Sequence, residues 1–198
     1  MYYDKYKSEI PEGVDGDWRV EKFTVTKKDE ELERMRAAFS SLGRYVPAGD
    51  YTRLMCNGTV VMSDTPDEIG DHIHAISMAK GNVLVNGLGL GVYACAVLEK
   101  PEVDHVTVVE IAPEVIRLVG VHLKQWYGER IELVLADAMT WQPPKGKRYD
   151  AVWHDIWDTI CTDNLEQMHT LHRRYGRRCD WQGSWSRHTL ERLRDSGW

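Results

Sequence analysis

The spacing of apolar and polar positions changes character near residue 80. Before it, "DWRVEKFTVT" (17–26) alternates with the period of a half-buried strand. "KKDEELERMRAAFSSLG" (27–43) repeats Leu32, Met35, Ala38, Phe39 and Leu42 at helical spacing and stops at Gly43. "YTRLMCNGTVVMS" (51–63) is two short β runs about Asn57-Gly58, a strong two-residue hairpin signal. "TPDEIGDHIHAISMA" (65–79) predicts a helix with Thr65 as N-cap, Pro66 at its first position and Glu68 placed to complete a capping box. After residue 80, continuous apolar runs alternate with helical patterns. The runs are "NVLVNG", "HVTVVEI", "RIELVLADA" and "YDAVWHDI". The helical patterns include "LGVYACAVLEK", "APEVIRLVGVHLKQWYG" and "TDNLEQMHTLHRRYG", and "CDWQGSW" and "SRHTLERLR" predict a last strand and a last short helix. Runs apolar on both faces belong to covered strands, and their alternation with helices forces parallel pairing, with ligands at the carboxyl ends of the strands. The expected fold is α/β: residues 1–75 form a small β-hairpin and helix region, and residues 76–198 an open parallel sheet with helices on both faces.

Composition adds limits. Of 198 residues 42% are hydrophobic and 28% charged, the balance of a globular domain. No apolar run nears the roughly 20 residues of a membrane span, and "MYYDKYKSEI" lacks the apolar centre of a secretory signal, so the expectation is cytoplasmic with no membrane partner. Cys56, Cys95, Cys161 and Cys179 are widely spaced and read as free thiols. The net charge of -6 argues against a generally nucleic-acid-binding surface, but residues 166–198 hold seven arginines and four acids. That segment is either a solvated helix face or a contact for nucleic acid or another anion. His72-x-His74 and His169-x-x-His172 invite a metal. The first pair diverges on a helix and the second has no third ligand nearby, so no metal site is expected.

The candidate chemistry begins at "VLVNGLGLGV" (83–92), where an apolar strand runs into Gly87, Gly89 and Gly91. The spacing is G-x-G-x-G. A dinucleotide fingerprint has its third glycine one place later, where Val92 stands, and a P-loop needs a Lys-Ser/Thr pair that is absent. The turn is apolar apart from Asn86. Main chain there is built for close approach, without charges to neutralise phosphate. At the next strand end Glu110, followed by Ile111, can accept from a ribose diol. At the third, the Asp137 carboxylate can accept from an exocyclic amine and the Ala138 N–H can meet a ring nitrogen. Together the three tips describe a slot for adenosine without pyrophosphate. Taken singly, each carboxylate could equally cap the next helix.

The order "VLVNGLGLG … VTVVEIAPEVI … RIELVLADAM … YDAVWHD" resembles the core of class I S-adenosylmethionine-dependent methyltransferases, and more closely the spermidine-synthase-like, or polyamine aminopropyltransferase, branch, over roughly residues 59–165. The resemblance implies a Rossmann-like sheet, here C-terminally shortened, and S-adenosylmethionine or its decarboxylated form as cofactor. It implies cofactor contacts from Asn86, Gly87, Gly89, Gly91, Glu110, Ile111, Asp137 and Ala138. It also matches Asp155 and Asp158 to the D-x-x-D pair that orients and deprotonates an attacking amine. His154 is a second candidate base, because imidazole titrates near neutral pH. Trp153 and Trp157 could wall the site, although a Trp on a central strand is more often core.

The chain departs from that branch at three positions and from ordinary methyltransferases at a fourth. Leu90 replaces the aspartate that grips the cofactor amine, and Val85 replaces the acidic residue that ordinary methyltransferases carry in the first strand. Met62 stands for a cofactor-contacting glutamine and Asp71 for a tyrosine. The expected function is a S-adenosylmethionine-dependent methyltransferase with a small-molecule acceptor. Aminopropyl transfer to a polyamine is the rival reaction, and a non-catalytic binding protein the rival of another class. An uncovered sheet edge makes a homodimer a further expectation.

Overall fold

A computed structural model describes residues 3–39 and 43–195. The chain folds into two sheets joined by one helix. The first is antiparallel, in the order β1 (Gly13–Asp15), β2 (Trp18–Val25), β3 (Gly49–Cys56), β4 (Thr59–Ser63). Asn57 and Gly58 both take positive φ, +50° and +77°, as a two-residue hairpin turn requires, and Cys56 pairs with Thr59 across it. The second sheet is parallel, in the order β7-β6-β5-β8-β9, with β5 (Gly81–Asn86) central. Its other strands are β6 (Val103–Glu110), β7 (Ile131–Leu135), β8 (Tyr149–His154) and β9 (Cys179–Ser184). The order reverses at β5, because β6 lies on one side and β8 on the other. That is where an open parallel sheet parts to admit a ligand.

Side chains along β5 alternate between two cores. Val83 and Val85 face α2 (Pro66–Met78), α3 (Val92–Leu98) and the helical run α4 (Pro113–Val115), π turn (Ile116–Gly120) and α5 (Val121–Tyr127). Leu84 faces α6 (Asn164–Tyr175), packing with Leu171 and Tyr175. Residues 136–148 join β7 to β8 without a helix, and Met139 and Trp141 pack where one would lie. A final helix, α7 (Arg187–Asp195), anchors Leu190 against Leu165 and Met168. Among the described residues no helix is long and apolar enough to cross a membrane, and all four cysteines are free.

Several expectations need correction. The boundary placed after residue 75 falls inside α2, and Ile69, Ala75 and Ile76 of that helix share one core with Val20 and Leu54 of the first sheet and Val83 of the second. The capping box expected at Thr65 does not close. Glu68 turns back to β4 instead, where it accepts from the Ser63 N–H (2.7 Å) and hydroxyl (2.9 Å). The helix expected over 27–43 is α1 (Lys27–Ala37), opened by a Thr26–Asp29 capping box. Its apolar stripe is not a core face: Leu32, Met35 and Phe39 are exposed, and Leu42 lies outside the described residues.

Candidate functional site

The carboxyl ends of β5, β6, β7 and β8 open into a crevice of about 440 Å³ that reaches under β3 and β4. At its glycine-turn end lie Gly87, Gly89, Glu110, Ile111, Asp137 and Ala138. Glu110 is buried. One of its oxygens accepts the Leu88 N–H and the other the Ala112 N–H, both at 2.8 Å. A carboxylate has about four lone-pair sites, so each oxygen keeps one for a ligand diol. Ile111 is exposed beside it, an apolar platform at the strand tip. Asp137 Oδ1 accepts the Met139 N–H at 2.7 Å, which folds the turn so that Ala138 faces the crevice. The turn is held from behind by Arg174 of α6. Its guanidinium donates to Ala138 O (2.7 Å), to Trp141 O (3.3 Å) and closely to Met139 O. Part of the basic segment therefore serves the fold, since Arg174 satisfies main-chain acceptors.

The glycines are needed for reasons the sequence does not show. A Cβ on Gly87 would overlap the Asp155 carbonyl, and one on Gly89 the Met62 sulfur. Gly91 caps α3 with φ +75°, and its missing Cβ would crowd Leu123. Gly87 and Gly89 line the crevice. Gly91 instead lines a larger groove of about 910 Å³ on the far side of the turn, with Leu90, Cys95 and Lys100. That groove lacks the strand-end carboxylates. The main chain of the turn is therefore approached mostly by the protein itself.

Asn86 and His154 are not in the crevice. Both end strands on the α6 side of the sheet and are fully buried there, Asn86 Nδ2 lying 2.7 Å from His154 Nδ1. The second imidazole nitrogen of His154 meets Gln182 Oε1 at 3.3 Å. Burial, with His172 and two arginines nearby, pushes the pKa of His154 down to about 3. A neutral imidazole with both nitrogens engaged beneath the sheet cannot reach an acceptor above it, so the base expected at His154 is not available. The strand period of two explains the misplacement: Asp155 points up where His154 points down.

At the reacting end lie Glu68, His72, Asp155, Trp157 and Asp158, with Trp18 and Trp185 at the mouth. Asp155 is largely buried. Burial first, then the nearby Glu68 and Asp71, push its pKa up to about 8, and the Trp153 indole opposes this weakly. His72 is buried between Tyr93 and Trp153, and desolvation lowers its pKa to about 4. Its Nε2 is 3.8 Å from Asp155 Oδ2, beyond hydrogen-bond reach, and its Nδ1 has no partner. Both groups are thus mainly uncharged at neutral pH. Burial likewise raises the Glu68 pKa, whereas Asp71 is paired with Arg44 at 2.7 Å. Trp153 is core, stacked between Tyr93 and Trp181, and the Trp157 indole donates to Gln167 at 2.7 Å.

Glu68 and His72 were not read from the sequence as site residues. Four residues apart on α2, they share a helix face, and that spacing was the available signal. His74 packs against Trp181, and His172 is held by Ser184 (2.8 Å) and Arg187 (2.7 Å). Among the described residues no three His, Cys, Asp or Glu side chains are grouped to hold a metal.

No family model matches the chain. A curated polyamine aminopropyltransferase from Hyperthermus butylicus is 31% identical over 135 residues, 63% of this chain and 44% of that protein, so the match spans less than half of the relative's length. The fold is Rossmann-like, an open parallel sheet in the order β7-β6-β5-β8-β9 with helices on both faces. Among solved structures, spermidine synthase from Thermotoga maritima is 18% identical over 83% of this chain and 52% of that one, with a TM-score of 0.48. The N-methyltransferase NodS from Bradyrhizobium japonicum is 17% identical over 64% and 71%, with a TM-score of 0.46.

Proposed function

We propose that the chain is a transferase that binds an adenosyl sulfonium, S-adenosylmethionine or its decarboxylated form, and alkylates an amine. One observation carries this reading. The crevice at the strand ends is lined by five acidic side chains, Glu68, Glu110, Asp137, Asp158 and the protonated Asp155, and by no lysine or arginine. Such a lining favours cationic ligands and repels anionic ones. A sulfonium and an amine acceptor are both cations. The same charge disfavours a nucleotide phosphate, and of the basic C-terminal segment only the uncharged Trp185 lines this crevice.

When bound, the cofactor offers a sulfonium-bound carbon to attack, and the electron pair of the broken C–S bond stays on sulfur. The chain supplies the rest. Glu110 keeps two lone pairs for the ribose diol, Ile111 and Ala138 flank the base, and Asp137 accepts from its exocyclic amine. Asp155, at the end of β8, faces the acceptor; it gives up its own proton when the cationic ligands bind, then takes the proton of the acceptor ammonium and so frees the nitrogen lone pair that forms the new N–C bond. Its raised pKa places it near the working pH of a general base. Asp158, exposed at the mouth, orients the far end of the acceptor. The charge of the lining favours aminopropyl transfer from the decarboxylated cofactor over methyl transfer, because the α-carboxylate of S-adenosylmethionine meets no cation in the crevice.

A turnover assay tests this. The chain is incubated with each cofactor and a panel of mono-, di- and polyamines, and products are read by mass. The proposal expects an amine heavier by an aminopropyl group, or by a methyl group under the second reading. Absence of any alkylated amine, with the cofactor bound, would leave a binding protein instead.

A further inference from the structure

We propose that Met62 decides which adenosyl ligands the crevice admits, by sealing the glycine turn against a polar amino-acid tail. The inference rests on the adenosyl reading of the crevice and adds a selectivity that the reading alone does not require.

Of the main-chain donors of the turn only the Gly89 N–H has no partner among the described residues, and the Met62 sulfur lies against that residue. The Gly87 N–H is bonded to Val109 O (2.8 Å), that of Leu88 to Glu110 (2.8 Å) and that of Gly91 to Leu88 O (2.9 Å). The Leu90 N–H is taken by the Met62 sulfur, itself part of the crevice lining, at 3.3 Å. The same sulfur lies against Gly89 so closely that a Cβ there would overlap it. The Leu90 side chain is buried and its carbonyl accepts the Ser8 hydroxyl at 3.2 Å. Leu90 thus presents neither a charge nor a free main-chain group. Met62 is fixed from its own side by β4, where it pairs with Leu54 of β3 next to a register shift at Leu54/Met55.

A thioether is a weak acceptor and an apolar filler. Where it covers the turn, an incoming α-carboxylate would lose water, find the Leu90 N–H already taken and meet no lysine or arginine, and burying a charge that way is unfavourable. The crevice therefore favours an adenosyl thioether or sulfonium whose tail is short and apolar, or bears only positive charge. Selectivity of this kind arises by rejecting the competitor as much as by gripping the preferred ligand.

Calorimetry on the full chain decides the point, with methylthioadenosine and S-adenosylhomocysteine as probes. These share the adenosine and differ in the tail. The wild type binds methylthioadenosine at least as tightly as S-adenosylhomocysteine. Met62→Ala uncovers the Leu90 N–H and improves S-adenosylhomocysteine binding about tenfold relative to methylthioadenosine, a shift of about 1.4 kcal/mol. Met62→Leu keeps an apolar cover and keeps the wild-type ratio, and thermal melts establish that both variants are folded. A wild type that prefers S-adenosylhomocysteine tenfold would overturn the inference, as would a ratio unmoved by Met62→Ala. If neither probe binds to wild type, the adenosyl reading falls and this inference with it. If both bind with the wrong preference, only the inference falls.

Discussion

Glu110 Oε2 accepts the Leu88 N–H at 2.8 Å, so the tip of β6 is bolted to the turn that follows β5. The other oxygen closes on Ala112 two residues later. One buried side chain thereby sets the distance between the glycine turn and the platform at Ile111, and the ligand slot is built from the spacing of two neighbouring strands.

Substituting Glu110→Ala leaves two buried N–H groups without acceptors, at a cost of about 1–3 kcal/mol each. The expected result is a lowered thermal midpoint together with loss of adenosyl binding. Glu110→Gln retains one carbonyl acceptor and should recover part of the stability, but not the grip on a diol. Equal stability of Glu110→Ala and wild type would show that the bolt contributes nothing.

Arg174→Ala should weaken binding without touching the ligand. It removes the donor to three carbonyls of the turn that carries Asp137 and Ala138. Affinity for an adenosyl ligand falls at least tenfold and hydrogen exchange quickens over residues 137–141, while β8 and β9 exchange as before. Faster exchange throughout the sheet would point to a general loss of stability.

Asp155→Asn should spare ligand affinity and lower kcat by about 10²–10⁴-fold, the usual worth of a positioned base. Because burial and acidic neighbours hold the Asp155 pKa at about 8, a cationic ligand should draw it down and release a proton. Calorimetry in buffers of different ionisation enthalpy then shows proton release near pH 7 in wild type and none in Asp155→Asn.

Stability should depend on pH with opposite signs at two kinds of group. His72, His154 and His172 have folded-state pKa values pushed down to about 4, 3 and 4 by burial. Unfolded histidine titrates near 6.5. The unfolded chain binds more protons below that value, so their contribution is complete above pH 6.5 and is lost as the pH falls toward 4. Asp155 is raised instead. Its contribution is complete below about pH 3.8 and is lost as the pH rises through about 8. Thermal midpoints should drop from pH 6.5 to 4.5, and Asp155→Asn should remove the opposing fall in stability that Asp155 causes as the pH rises from about 4 to about 8. A midpoint constant from pH 7 to pH 4.5 would contradict the buried, neutral histidines.

Much of this was legible in the sequence because the parallel strands are continuous apolar runs that end in single polar residues. Glu110, Ile111, Asp137 and Ala138 fall at such ends, and the structure brings them to one crevice. The parity of β8 was not legible. Asp155 and His154 are adjacent and both chemically attractive, and only the register with β5 and β9 decides which one faces the ligand. Glu68 and His72 were hidden for another reason. They reach the site by packing of the first sheet and α2 over the second, a long-range relation that local spacing does not encode. The exposed stripe on α1 shows the same limit from the other side, since helical periodicity found the helix but not what it faces.

The most direct test of the central claim is a crystal structure of the chain soaked with methylthioadenosine. The account predicts the ribose hydroxyls on Glu110, the base between Ile111 and Ala138 with its amine toward Asp137, and the sulfur directed at Asp155. A nucleoside seated in the groove beside Leu90 and Lys100, or one in the crevice that leaves Glu110 and Asp137 untouched, would contradict it.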